Sequence, residues 1–411
     1  MQYIKILRQK PLAVLWFSQL LSEIGDQIYL VAALWIAVQI SPGSAALVAA
    51  SDYMSMFICS LFAGVYADRL NRRKAMIASD LIRALAVITL PIAAYFGPIS
   101  IIHLVLVGIT LGSLSALFAP CLIATIPAIT HESQALQATS GLMDATRRLG
   151  RTIGPGLAGI LTASISLRHF FTIDALSFFA SAAGISYLNR NYKWPVDDHK
   201  SRSKNTTSVF HELKEAVAVA KKNALISWDF ATFIILNINY AIIYTVGLPV
   251  LAKNNFGGNI VAYSSIIATY GFASVIANIA AGNIHVKNMG LIKFTGDFIW
   301  GIGFLIIGLA PNLPIALLGA AISAIGTPLS NLTMSVAIQK YIPNHQVGKV
   351  YSLRVTISMA GLGLGLVLAP FLFNHWNASH VVAIASFGFI LVGLAGIIRF
   401  ARPIPDQQIP V

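Results

Sequence analysis

Charge is scarce in this chain. Of 411 residues only 15 are acidic and 28 basic, 10% charged in all against 56% hydrophobic, with a mean hydropathy of +0.74. A water-soluble domain of this length needs far more exposed charge, so the balance excludes one and requires a polytopic α-helical membrane protein. Cysteine is scarcer still. Cys59 and Cys121 both fall in apolar segments, which argues against a disulfide or a thiolate metal pair and leaves them as packing residues. Histidines such as His103, His131, His285 and His345 are scattered over separate segments. No convergent set of His, Cys or paired carboxylates stands out, so neither an enzyme nor a cofactor is expected. A sizeable soluble domain, as a sensor would carry, is missing too. The formal charge of +13 is spread through loops, whereas nucleic-acid binding needs cations gathered on an exposed folded face. No small-residue cleavage site follows the basic lead from Met1 to Lys10, so no secretory signal is expected.

What the chain does have is long apolar runs. With about 20 apolar residues per crossing, and Gly, Pro and charge marking the ends, twelve spans are predicted near 12–39, 44–67, 75–96, 100–129, 138–164, 168–189, 224–252, 260–284, 289–310, 313–341, 347–373 and 378–400. Lys and Arg belong in cytoplasmic loops. An even number of spans with both termini cytoplasmic leaves only Arg168 and Lys253 of the 28 basic residues in outer turns. The stretch 190–223 is the one long polar segment. It opens on Pro195 and a Ser/Lys/Asn/Thr-rich patch, then turns amphipathic from Phe210 to Val217. It divides the chain into an N-terminal six-helix bundle at 1–189 and a C-terminal one at 224–411. Phe118-Ala119-Pro120, Ile126-Pro127, Arg147 and Gly154 have rough counterparts in Gly326-Thr327-Pro328, Ile342-Pro343, Arg354 and Gly361, as in a parallel repeat.

Between spans 2 and 3 runs Gly64-Val65-Tyr66-Ala67-Asp68-Arg69-Leu70-Asn71-Arg72-Arg73-Lys74, too charged for hydrocarbon and therefore read as a short water-facing loop. The pattern resembles the loop between helices 2 and 3 of the major facilitator superfamily of secondary transporters. Where that family has Gly after Asp-Arg-x, this chain has Asn71, the non-Gly residue that best tolerates positive φ. The equivalent stretch of the second half, 282–290, lacks the acid and most cations, so gating charge is expected mainly in the first half. On span 5, Gly141, Gly150, Gly154-Pro155 and Ala158-Gly159 put small residues at helical spacing beside a proline bend. This resembles the antiporter motif of drug exporters, with Ala158 in place of one Gly. A complementary small face on span 8, Ala273, Ala277 and Ala281, is a candidate partner. Asp80-Leu81-Ile82-Arg83-Ala84, Phe118-Ala119-Pro120 and Asp174-Ala175-Leu176-Ser177-Phe178-Phe179 are similar to the branch containing macrolide efflux pumps and enterobactin-type siderophore exporters. The Arg that many proton-driven exporters carry on helix 4 is absent from Leu106–Gly112.

Charges at membrane depth are expensive and are usually paired or functional. Asp26, with Glu23 one turn before it, is the candidate for proton or substrate coupling; Asp52 reads as lying in a solvated outer mouth. Asp80 and Arg83 are spaced to pair on one helix face. A cytoplasmic gate is assigned to Gly64, Asp68, Arg69, Arg72 and Arg73 with Asp144, Arg147 and Arg148. The resemblance further implies that Asp68 faces the start of span 11 near Gly348. Gln27, Trp35, Asn237, Tyr240, Tyr244, Tyr270 and Asn278 offer amides and aromatics for a substrate cavity, which the resemblance puts between the halves. The expected protein is thus an all-α, multi-pass protein of the bacterial inner membrane with a major facilitator fold. Its expected role is proton-coupled export of a small amphipathic drug or siderophore, as a monomer. A lipid flippase of the same fold and a metal-ion exporter are the alternatives.

Overall fold

The computed structural model describes residues 9–129, 139, 143, 146, 149–150, 153–162, 164–191, 209–281 and 288–402, with backbone alone at 61–69, 124, 126–129, 191, 209–213 and 344–345. The chain divides into two compact units, Met1–Ser203 and Lys204–Val411. Among the described residues every element is helical. Ten helices there are long and apolar enough to cross a bilayer.

The first unit contains α1 (Lys10–Ile40), α2 (Pro42–Arg69), α3 (Arg72–Phe96), α4 (Ile101–Ile129), helical residues at 153–161 labelled α5, and α6 (Arg168–Asn191). Proline and short polar side chains set the ends. Ser41 is extended at φ −163°, its hydroxyl accepts from the backbone N–H of Ser44, and Pro42 opens the next helix. The 31 residues of α1 reach about 46 Å at 1.5 Å per residue, more than a hydrocarbon core needs. Helix α2 packs on α4, while α6 lies against α1 and α3. Close approach of α2 and α4 needs the glycines of the segment that lacks an arginine. A Cβ on Gly108 would lie 2.3 Å from Ser51 Oγ, and one on Gly112 would lie 2.2 Å from the Asp52 carbonyl oxygen. Asp52 is therefore pressed on α4 and half-buried, a different setting from the solvated mouth expected for it. Cys121 is buried with Met76, Phe118 and Ile185, a packing residue.

The predicted loop at 64–74 shrinks to two residues. Helix α2 continues to Arg69 and α3 starts at Arg72, so most of the charged motif is helical. Asn71 has φ −66°, not the positive value expected. Its side chain accepts from Lys74 N at 3.1 Å, so Asn serves there as an N-cap.

The second unit contains α7 (Val209–Lys221), α8 (Ala224–Tyr240), a π-helical segment (Ala241–Gly247), α9 (Leu248–Asn255), α10 (Ile260–Ala281), α11 (Met289–Leu309), α12 (Leu313–Tyr341), α13 (Asn344–His375) and α14 (Ala378–Arg399). Asn223, Asn288, Asn312 and Asn377 cap α8, α11, α12 and α14 with their side-chain oxygens. Helix α7, from the predicted linker, packs on α13, with Lys349 Nζ 2.6 Å from Glu215 Oε2. Helices α11 and α12 meet through small residues. A Cβ on Gly303 would lie 2.2 Å from Ser323 N, and one on Gly326 would lie 2.3 Å from the Gly296 carbonyl oxygen.

The internal packing of the units repeats. In the first, Gly150 and Gly154 seat against Glu23 and Gln27 of α1; in the second, Gly361 and Gly365 seat against Asn237 and Ile238 of α8. Each unit thus holds a pair of glycines four apart against its own first long helix. For Gly150 and Gly154 the close neighbour is α1, inside their own unit.

Candidate functional site

Gln19, Ser22, Glu23 and Asp26 recur at helical spacing on one face of α1, and that face borders a cavity of about 140 Å³. Across it lie Arg83 of α3 and Ser115 and Phe118 of α4, and Met143 and Thr146 close it from the span 5 region. Drug-sized pockets run about 300–1,000 Å³. This one has room for water and protons but not for cargo. Among the described lining residues are two acids and one base.

Arg83 is held from several sides. Its Nη2 lies 2.5 Å from Asp80 Oδ1, the expected pair, and its Nη1 donates to Ser115 Oγ at 3.4 Å. The guanidinium sits between the rings of Phe118 and Phe178, at 4.7 Å and 4.5 Å from their centroids. Such stacking suits Arg and offsets part of its desolvation. The sequence showed the ion pair but gave no sign that the same cation borders the Asp26 cavity. Neither Gln27 nor Trp35 lines that cavity. Gln27 is the residue on which Gly154 packs, and Trp35 is buried at 5% exposure.

In the second unit three predicted tyrosines come together. Tyr240 and Tyr244 stack at 4.9 Å, Tyr244 tilts against Tyr270 at 5.2 Å, and Tyr270 Oη is 2.7 Å from Thr327 Oγ1. The column continues through Trp300, edge-on to Tyr240 at 5.8 Å. Tyr240 stands at the mouth of the π-helical segment and Tyr244 within it, and such segments concentrate at functional sites. The two asparagines are engaged otherwise. Asn237 accepts from Ser358 Oγ at 2.6 Å and ties α8 to α13, while Asn278 donates to the Ser274 carbonyl of its own helix at 2.7 Å.

The second unit's interior holds a charge cluster that the sequence reading did not single out. Lys293 Nζ lies 2.7 Å from Asp229 Oδ1 and 2.6 Å from Asp297 Oδ2, all three side chains at 0% exposure. Asp297 Oδ1 accepts from Ser330 Oγ at 2.6 Å, and Arg354 reaches Asn331 at 3.1 Å and Asp229 at 3.5 Å. Lys293 and Asp297 are four apart in an otherwise apolar span, the one signal in the sequence that could have revealed this cluster.

Of the assigned gate, Gly64, Asp68 and Arg69 lie on the α2 backbone with side chains outside the described residues. Asp144, Arg147 and Arg148, like Gly141 of the span 5 motif, lie wholly outside them. Arg72 opens α3, and Arg73 Nη1 donates to Asn189 Oδ1 of α6 at 2.9 Å. Gly150, Gly154 and Pro155 are buried, and Gly159 is half-buried. A Cβ on Gly348 would meet open space.

Helical packing around buried charge, in a chain this apolar, fits a membrane carrier. The chain belongs to the transmembrane secretion effector family of the major facilitator superfamily, whose model matches residues 4–409. It is 24% identical over 380 residues to macrolide efflux protein A of Streptococcus pyogenes, covering 88% of this chain and 90% of that one. It is 22% identical over 409 residues to the multidrug efflux pump Tap of Mycolicibacterium fortuitum, covering 95% and 96%. Its fold is similar to that of an auto-inhibited POT family peptide transporter, with a TM-score of 0.74 at 11% identity over 98% of this chain and 99% of that one. The family is one of membrane transporters and not of enzymes.

Proposed function

We propose that the protein is a proton-coupled exporter of small amphipathic molecules, working by alternating access in a bacterial inner membrane with twelve spans and both ends cytoplasmic. One observation carries this reading: the cavity of the first unit, where Asp26 lines one face of α1 with, among the described residues, the Arg83 guanidinium across from it. A carboxyl group next to a space for water and within a spanning helix is what a proton-driven cycle requires. Drug-like cargo is supported by relatives named for macrolide and multidrug efflux. The stacked Tyr240, Tyr244 and Tyr270 suit the apolar faces of such a molecule. Siderophore cargo, a lipid flippase and a metal exporter have no comparable observation in their favour. The cytoplasmic gate is assigned to the charged motif from Gly64 to Arg73 with Asp144, Arg147 and Arg148.

Asp26→Asn tests the coupling directly. Cells making the wild-type protein should accumulate less erythromycin than cells without it, and a protonophore should abolish the difference. The D26N protein, present in the membrane at equal amount, should give no difference; full efflux by D26N contradicts the assignment.

A further inference from the structure

We propose that Asp174 is a second proton-binding carboxyl group of the coupling site, linked to Asp26 across the contact between α1 and α6. The proposal rests on the proton-coupled reading above and adds where a further proton is held.

Asp174 is 0% exposed. Its Oδ1 accepts from Ser177 Oγ at a long 3.4 Å, and that hydroxyl also donates to the Asp174 backbone carbonyl at 2.8 Å. Its Oδ2 has no hydrogen-bond partner. An unmatched acceptor away from water costs free energy. A proton on Oδ2 makes that atom a donor and removes the charge in one step.

The acid abuts α1 beside Asp26. Gly25 permits the approach: a Cβ there would lie 2.7 Å from Asp174 Oδ1 and 2.4 Å from Ser177 Oγ. Tyr29, one turn after Asp26, is on the same seam, with its ring edge-on to Phe171 of α6 at 5.6 Å. Its hydroxyl is likewise buried without a partner. Two unmatched polar atoms thus face one seam, next to a residue that borders the water-sized cavity.

The charged and titratable groups around the seam are Glu23, Asp26 and Tyr29 from α1, Asp52 from α2, Asp80 and Arg83 from α3, and Asp174 itself from α6; α4 contributes the Ser115 hydroxyl. Among the described residues Arg83 is the cation of this set, and it acts electrostatically on Asp26, Asp52 and Asp174. Asp80 already holds its Nη2. Asp26 and Asp174 therefore both interact with Arg83, and a proton taken up by one changes the other's hold on it. In each step a proton leaves water and bonds to a carboxylate oxygen, and returns to water on release.

The test is pH-difference infrared spectroscopy on the purified full-length protein in detergent, with no substrate, between about pH 5 and 9. Wild-type protein should show protonated-carboxyl bands that titrate. D174N should lose one of them, and D26N should lose another and shift the pH at which the Asp174 band titrates. D174E, which keeps the acid should the amide variant fold poorly, should retain the band at a displaced frequency. A D174N spectrum superimposable on wild type, or a D174E band that does not move, overturns the proposal. Failure of the transport reading is distinct: D26N would then export erythromycin normally, whatever the Asp174 band does.

Discussion

Lys293 bridges Asp229 and Asp297 with its ammonium wholly buried. Among the described residues Asp297 has no other cation, so K293A leaves a buried carboxylate with only the Ser330 hydroxyl. Breaking a buried pair by removing one partner costs about 3–5 kcal/mol. We expect K293A to melt well below wild type in a thermal-shift assay, and K293A/D297N to recover part of the loss because the stranded charge is gone. Equal melting of all three proteins would mean that the cluster contributes nothing to the fold. Asp26 and Arg83 show what a sequence can and cannot tell at this scale. The cost of a charge in an apolar run is legible in the sequence, and so is an i, i+3 pair. Which other helix a guanidinium meets depends on packing across residues far apart in the chain, and the rings of Phe118 and Phe178 that hold Arg83 lie in other helices.

The helices themselves were the most legible feature. Long apolar runs, with Gly, Pro and charge at their ends, bounded the ten described spans to within a few residues, from α1 at Lys10–Ile40 to α14 at Ala378–Arg399. The π-helical segment at Ala241–Gly247 was not legible, because apolar periodicity over one widened turn does not differ from that of an α-helix. The charged motif was misjudged as loop because charge suggests solvent, while a helix end that reaches water accommodates charge equally well. Glycine spacing gave a testable contact between elements. A Cβ on Gly154 would lie 2.4 Å from Gln27 Cβ and 3.2 Å from the Ile24 carbonyl oxygen. Overpacking of this kind costs about 1–3 kcal/mol. G154V should lower both melting temperature and erythromycin efflux, with G365V, which meets the Ile238 carbonyl oxygen at 2.4 Å, as its counterpart in the second unit. Wild-type melting and efflux in both variants would show that neither helix contact is close.

The whole chain reads as two compact units of similar internal packing, each with a buried cluster of its own. Their charge balance differs. Among the described residues, Asp229 and Asp297 of the second unit are matched by Lys293 and Arg354, whereas in the first Arg83 acts on several acids. A balanced cluster suits a fixed brace, and an unbalanced one suits a group that gains and loses protons. We therefore expect D229N to act mainly on stability and D26N mainly on transport. A D229N protein of full stability without efflux, or an unstable D26N, would reverse those roles. Reporter fusions after Asn191, Ala281 and Arg402 should all report a cytoplasmic position if the chain has twelve spans with both ends inside. An external signal at any of them contradicts that topology.

The most direct measurement of proton-driven export is uptake of erythromycin into inverted proteoliposomes with an imposed pH gradient and no other energy source. The account predicts accumulation when the lumen is acidic, collapse on addition of a protonophore, and no accumulation by D26N reconstituted at equal density. Accumulation indifferent to the gradient, or undiminished in D26N, contradicts it.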